Sequence, residues 1–537
     1  MLTYDLAVVP IITNAGVAVL PAILAALGSV VALIFKPRQL MALCIRKPYV
    51  PALTLLLLAG AGAGAWWLMQ PPAESTELEA VTAGGGKTDW TKVALELIRQ
   101  EKLAGQGIAT SQPANTQSTP TTSSTHFNRR GNFARTGHLG GPSPRNLQPL
   151  FEYSAGEGTY YFSDPAIHGE RIFAAGWFQD VTGMYGVFTC MDKTGKKIWE
   201  VKRFEDNRER LKGFFSSPVV TGDGKYVLIG QGLHLDKNCD FACFDAATGK
   251  LLWRHRTPHN HIESSPAIFG DLAVIGAGAI EKNDGSPPDE GPGVVLAVQI
   301  STGKMLWTFN MVDPESSPAI GDDGVVYIGS GLNGKAVFAL RSETDDELKA
   351  KGLSRVLWQR PVDHPATGVV TLYGDKLLIG IGNGDFVNAD PNPAGAVICL
   401  HRKTGEVLWQ TPVGDSVLGA IAVVGDTAYA GVRNGAVKAL RLTDGYELWS
   451  QNVSTTAPLL ASVAVTDDSL YAVANDGTLA VLNRADGKIL QTVQVNSATT
   501  PGVENLSISS PIIADGRVYV GSETGGLRCF IGSKVAP

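Results

Sequence analysis

Charge is almost missing from the start of this 537-residue chain: no charged side chain occurs between Leu6 and Phe35. No positively charged segment precedes that run, which argues against a cleaved signal peptide. A long basic run and an acidic tail are also lacking, and the net charge is −6. Nucleic acid therefore finds no electrostatic footprint here. There is no Cys-x-x-Cys-His, so no c-type haem is expected. What remains is a length too great for one ordinary hydrophobic core, which calls for several domains or a repeat architecture.

The uncharged run is long enough to cross about 30 Å of hydrocarbon. A second, "VPALTLLLLAGAGAGAWWLM", covers Val50 to Met69 and ends in Trp66 and Trp67, which suit the headgroup layer. The segment between them carries Lys36, Arg38, Arg46 and Lys47, placing it in the cytoplasm. Residues 1–69 thus read as a transmembrane helical hairpin with spans at about 10–35 and 50–69, anchored in the cytoplasmic (inner) membrane. Everything after Met69 falls on the extracytoplasmic, periplasmic side. Residues 70–141 read as a linker. A short helix fits residues 88–104, where Trp90, Val93, Leu97 and Ile98 have helical spacing. Downstream, "ATSQPANTQSTPTTSST" holds ten Ser or Thr in seventeen residues and no charge, too little apolar surface to fold.

From residue 142 the chain repeats. "CMDKTGKKIW", "CFDAATGKLLW", "AVQISTGKMLW", "SRVLW", "CLHRKTGEVLW" and "ALRLTDGYELW" end at Trp199, Trp253, Trp307, Trp358, Trp409 and Trp449, and in "VLNRADGKILQ" Gln491 takes the Trp place. Successive intervals are 54, 54, 51, 51, 40 and 42 residues. The Thr-Gly and Asp-Gly pairs suit tight hairpins, because glycine accepts positive φ without a Cβ clash. An upstream half with two apolar runs around a Gly-Asp turn completes four strands, which is one propeller blade.

Counting upstream halves, from Ser163-Asp164-Pro165 to Ser509-Ser510-Pro511, gives eight. The eighth runs out of chain before its fourth strand, whereas Asn146 to Gly156 is a fourth strand without a blade, with Phe151 in the Trp place. Pairing the two closes an eight-bladed, all-β ring over residues 142–537 and leaves no free sheet edge. The first place of the repeated motif is held, blade by blade, by Cys190, Cys243, Ala297, Ala339, Cys399, Ala439, Val481 and Cys529. Alternation of Cys with Ala and Val describes a small buried side chain, so these thiols are expected to be free.

The pattern Ala-x-Asp-x-x-Thr-Gly-x-x-x-Trp resembles the docking motif of the PQQ-type quinoprotein propellers, a superfamily of alcohol and glucose dehydrogenases that also holds the cofactor-free BamB branch. The resemblance implies that the six motif tryptophans pack between blades. It also implies what an enzyme would need: a quinone stacked between a Trp and a ring made by two adjacent cysteines, with a Ca²⁺ held by carboxylates. No Cys-Cys pair occurs, and Trp177 alone remains for a cofactor floor. Neither PQQ nor Ca²⁺ is therefore expected, and the reading is a membrane-tethered scaffold for protein partners. A divergent PQQ-dependent dehydrogenase and a carbohydrate- or small-ligand-binding propeller are the alternatives.

Two further segments carry polar clusters. "GDFVNADPNP" offers Asp385, Asn388 and Asp390 as oxygen ligands, but its spacing departs from the EF-hand loop. In "RHRTPHNHIE", His259, His261 and Glu263 share one side of an extended chain, so they converge on a metal or form a polar loop lip. The loops between second and third strands are long in blades 1, 2, 3 and 5. That asymmetry suggests a partner platform with Trp177 and Phe178 as apolar anchors and Asp284, Asp289 and Glu290 as an acidic rim.

Overall fold

The computed structural model describes residues 143–534, except 157, 235, 280–290, 385–388, 497–506 and 525, together with Arg135 and Gly137. The two expected membrane spans and the expected linker, apart from Arg135 and Gly137, lie outside the described residues. Among the described residues no helix is long and apolar enough to cross a membrane.

Eight antiparallel sheets form in chain order, and each has a core of four strands paired in sequence. Blade 4 is typical, with strands Ala319–Ile320, Val326–Ser330, Ala336–Leu340 and Val356–Pro361. Its second and third strands are buried on both faces, which is why "VYIGS" and "AVFAL" are continuously apolar. The outer strand alternates between half-buried and exposed because one of its faces meets water. Apolar clusters lie between neighbouring sheets: Val337 and Ala339 of blade 4 pack against Leu377, Ile379 and Ile398 of blade 5. Each such Val, Leu or Ile side chain, once buried, contributes about 1.5–3 kcal/mol.

The ring closes as the sequence requires. Blade 8 takes Ile512–Ala514, Arg517–Gly521 and Leu527–Lys534 from the end of the chain and its outer strand, Pro144–Tyr153, from the start of the repeats. Phe151 pairs with Cys529 in the register in which Trp199 pairs with Cys190 and Trp409 with Cys399. All five described cysteines are free and buried. Burial pushes the Cys190, Cys399 and Cys529 thiols up to about 12, which makes them inert.

Each motif tryptophan reaches into the next blade. The indole Nε1 of Trp199, Trp253, Trp358 and Trp409 donates to the carbonyls of Ala246, Ile300, Arg402 and Leu442, at 3.2, 2.7, 3.0 and 2.9 Å. Under each ring lies the turn glycine of that blade. A Cβ on Gly249, Gly303, Gly405 or Gly487 would come within 2.6–2.8 Å of the ring of Trp199, Trp253, Trp358 or Trp449. Phe151 covers Gly195 in the same way.

Two seams differ. In blade 4 the turn is replaced by a helix, α1 (Asp345–Lys351), started by a Thr344/Glu347 capping box and ended by Gly352 in the left-handed region. Trp307 there donates to the Ser342 carbonyl at 2.9 Å, and the Arg355 guanidinium lies 4.3 Å from its ring centre. Between blades 7 and 8, Gln491 bonds the backbone of Leu147 in both directions, at 2.8 and 3.2 Å. The primary amide supplies a donor and an acceptor where the indole supplies one donor.

The chain also crosses the ring's axis. Arg135, fully buried, donates to the Pro266 carbonyl of blade 3 at 2.9 Å, while the Gly137 carbonyl accepts from Val465 of blade 7 at 2.9 Å. Blades 3 and 7 face each other across an eight-membered ring, so this stretch spans the channel between them.

Candidate functional site

Among the described strands, those of the blade 1 hairpin run longest toward the face where second and third strands are joined. Its hairpin strands, Arg171–Asp180 and Gly183–Asp192, have ten residues each, against five in the corresponding strands of blade 4. The tip is built for exposure. Val181 is fully exposed, and Asp180 accepts from the backbone N–H and hydroxyl of Thr182 at 2.7 and 2.5 Å. Those bonds, with a further one from Arg210, hold the Asp180 carboxyl down at about 2. The Arg210 guanidinium also lies 3.9 Å from the Tyr185 ring centre. Phe178 is half-buried beside Tyr185, with the Lys202 ammonium 5.6 Å from its ring centre.

Trp177 does not serve as the surface anchor expected of it. It is only 4 % exposed, stacked on Tyr160 at 4.3 Å and tilted against Phe162 at 5.8 Å. The reason is an extra strand, Thr159–Tyr160, which pairs with Phe178 and Trp177 and covers them from outside the four-strand unit. Asp284, Asp289 and Glu290 of the expected acidic rim lie outside the described residues, as do Asp385 and Asn388. Asp390 is half-buried and accepts from the Asn392 backbone N–H at 2.8 Å, the geometry of a turn cap.

Charged neighbours that the repeat analysis did not single out support the projecting hairpin. The segment "KRFEDNRERLK" (Lys202 to Lys212) folds back on itself, with Phe204 N–H bonding Glu209 and Leu211 N–H bonding Lys202. Arg254 and Arg256 of blade 2 clamp the buried Asp240 at 3.1 and 2.9 Å, and Arg256 also reaches Glu209 at 2.6 Å. Its density of alternating charge was the available signal.

Around the axis, the Ser-Ser-Pro segments used to count blades form a belt. Backbone N–H of Asp164, Ser217 and Ser265 each bonds the hydroxyl of the next blade, on Ser217, Ser265 and Ser317, at 2.9, 2.8 and 2.8 Å. On the other side Ala420 bonds Ser462, Ser462 bonds Ser510, and Ser510 returns to the Asp164 carboxylate at 2.6 Å. Blades 5 and 6 carry Gly368 and Gly419 instead, each lying against the backbone of the following blade.

The histidines separate. His255 lies on an outer strand and meets the Gly303 carbonyl at 2.6 Å, and His259 sits exposed in a turn at φ 64°. His261 and Glu263 form no loop lip: both are fully buried, and one ligand atom from each lies within 4.8 Å of the other and of one from buried His234. The His261 Nε2 lies 2.7 Å from Glu315.

The quinone site implied by the resemblance is poorly served by these side chains. The Trp177 ring is enclosed by Tyr160 and Phe162, which leaves it no face to offer as a floor. None of the described cysteines adjoins another in sequence.

Comparison with known proteins agrees with this geometry at the level of the fold and the repeats. Over 383 residues the chain is 23% identical to the outer membrane protein assembly factor BamB of Shewanella oneidensis, covering 69% of this chain and 85% of that one. The structure of BamB from Moraxella catarrhalis overlays with a TM-score of 0.52 at 15% identity, over 73% of this chain and 99% of that one. A europium-containing methanol dehydrogenase overlays with a TM-score of 0.55 at 14% identity, over 81% and 99%. A dehydrogenase and an assembly factor thus share this fold, and the fold alone does not choose between them. The sequence profile of one family matches residues 184–344 and 393–531, more than half of the chain, and by that match the chain belongs to the family described as outer membrane protein assembly factor BamB.

Proposed function

We propose that this chain is a non-catalytic scaffold of the cell envelope that assists assembly of outer-membrane proteins by holding protein partners on its loop face. The family match carries the reading. Two features support it. The blade 1 hairpin presents Val181, Phe178 and Tyr185 beside Arg210 and Asp180, a mixed apolar and charged surface of the kind that binds proteins. At the axis, Arg135 and Gly137 bond blades 3 and 7 on opposite sides of the ring, which ties the propeller together as a rigid support.

The uncharged runs before Met69 add a two-pass anchor in the inner membrane, with the propeller on the periplasmic side. A reporter active only outside the cytoplasm should work when fused after Ala80 and fail after Leu43; the reverse pattern would remove the anchor. The scaffold itself is tested in a host lacking the chain. Folded outer-membrane β-barrel protein, scored by its heat-modifiable band, should fall and return with the wild-type chain. Barrel levels indifferent to the chain would overturn the assembly reading. Titration with PQQ and Ca²⁺ should produce no bound-quinone spectrum, and a stoichiometric one would restore the dehydrogenase.

A further inference from the structure

We infer that His234, His261 and Glu263 form a binding site for one divalent transition-metal ion of the zinc class, with Glu315 orienting His261. Three blades contribute. His234 lies between the second and third strands of blade 2, His261 and Glu263 lead into the inner strand of blade 3, and Glu315 leads into that of blade 4. Their burial is nearly complete, from 4 % exposure at His234 to none at the other three.

The donor set decides the class of ion. Two imidazoles and a carboxylate are the ligands that zinc takes, whereas Ca²⁺ takes oxygen alone. Ligand atoms of the three residues all lie within 4.8 Å of one another. Around a zinc ion at 2.0–2.2 Å they would sit about 3.4 Å apart, so side-chain rotations that move them by about an ångström close the set. Metal-bound histidines commonly give their second ring nitrogen to a carboxylate, which fixes the ring. His261 has that arrangement: Nε2 meets Glu315 Oε1 at 2.7 Å.

The surroundings fit the same purpose. The His234 and His261 rings meet edge to face at 5.3 Å, which holds them in one pocket. Gly278 pairs with His261, and a Cβ there would collide with the Glu315 carboxylate. The site therefore depends on a glycine at that position. Such an ion would join blades 2 and 3 directly and blade 4 through Glu315.

The test uses the purified full chain, stripped with chelator, loaded with Zn²⁺ and dialysed. Elemental analysis should find about one zinc per chain, and Tm should rise on loading. Co²⁺ in its place should give the visible absorption of a four-coordinate site. His234→Gln and Glu263→Gln should abolish both retention and the Tm response, with far-ultraviolet circular dichroism showing each variant folded. Glu315→Gln should weaken zinc binding about 10–100-fold without abolishing it, as expected of a positioning residue. His255→Ala, on the outer strand, should retain zinc as wild type does. No retained zinc in the wild-type chain and no Tm response would overturn the site and leave a proton-sharing network in its place. Retention undiminished in both His234→Gln and Glu263→Gln would equally overturn it.

Discussion

The seam between blades 2 and 3 and the seam between blades 3 and 4 meet one requirement with different residues. In the first, Trp253 lies over Gly303 and bonds the Ile300 carbonyl. In the second there is no turn glycine: α1 occupies its place, and Arg355 covers Trp307 while the indole still bonds a backbone carbonyl. The constant is a planar side chain that donates into the next blade. The glycine is one way of making room for it, and the insertion of a helix is another.

The largest expected effect is at the ring itself. Trp307, 2 % exposed, should cost about 3–5 kcal/mol when changed to Ala, and the half-buried Trp253 less, as read from urea midpoints of the propeller. Trp177→Ala belongs with Trp307, because Trp177 is equally enclosed. Equal costs at Trp253 and Trp307 would mean that the helical seam is no better covered than the glycine seam.

Next comes the floor beneath the ring. Gly303 has φ 69° and a Cβ there would lie 2.6 Å from Trp253, so Gly303→Ala should cost about 2–4 kcal/mol from backbone strain and collision together. Gly352, which ends α1 at φ 64° with open space around it, should cost only about 1–2 kcal/mol from the backbone alone. Similar losses at the two would show that the close approach to Trp253 adds nothing.

Smaller effects follow at the substitutes for the motif. Gln491→Ala removes both bonds to Leu147 and should lower stability by about 1–3 kcal/mol, the cost of leaving buried backbone groups unmatched. Arg355→Ala should cost about 1 kcal/mol, the scale of a cation–π contact at a partly exposed site. If Arg355→Ala proved as damaging as Trp307→Ala, the guanidinium rather than the indole would be the main support of that seam.

What the sequence discloses follows from how local each feature is. Blade count, register and ring closure depend on a motif that recurs within each unit, so the positions opposite every Trp, from Cys190 to Cys529, can be aligned by eye. Helix α1 was readable in principle, since Thr344 and Glu347 have capping-box spacing and Gly352 ends the run. Alignment on the repeat passes over it, because the unit ending at Trp358 keeps only the last residues of the motif. The enclosure of Trp177 depends on Thr159–Tyr160, which lies outside the repeating unit. The pairing of His261 with His234 joins two blades, and no spacing rule connects them. Glu315 was nearer to view, because "ESSPAI" occurs twice, at Glu263 and at Glu315.

The strand Pro144–Tyr153 and its partner Leu527–Lys534 stand at opposite ends of the repeats, and that separation sets a schedule for synthesis. At about 5–20 residues per second, the partner is made about 20–80 s after the strand that it must receive. Seven blades can stack meanwhile, but the last seam stays open and the waiting strand carries its apolar Leu147, Leu150 and Phe151 with nothing to pair with. Pro144 and Pro149 lie within that strand. Each lacks a backbone donor, so the strand is a poor template for pairing with another nascent copy during the interval.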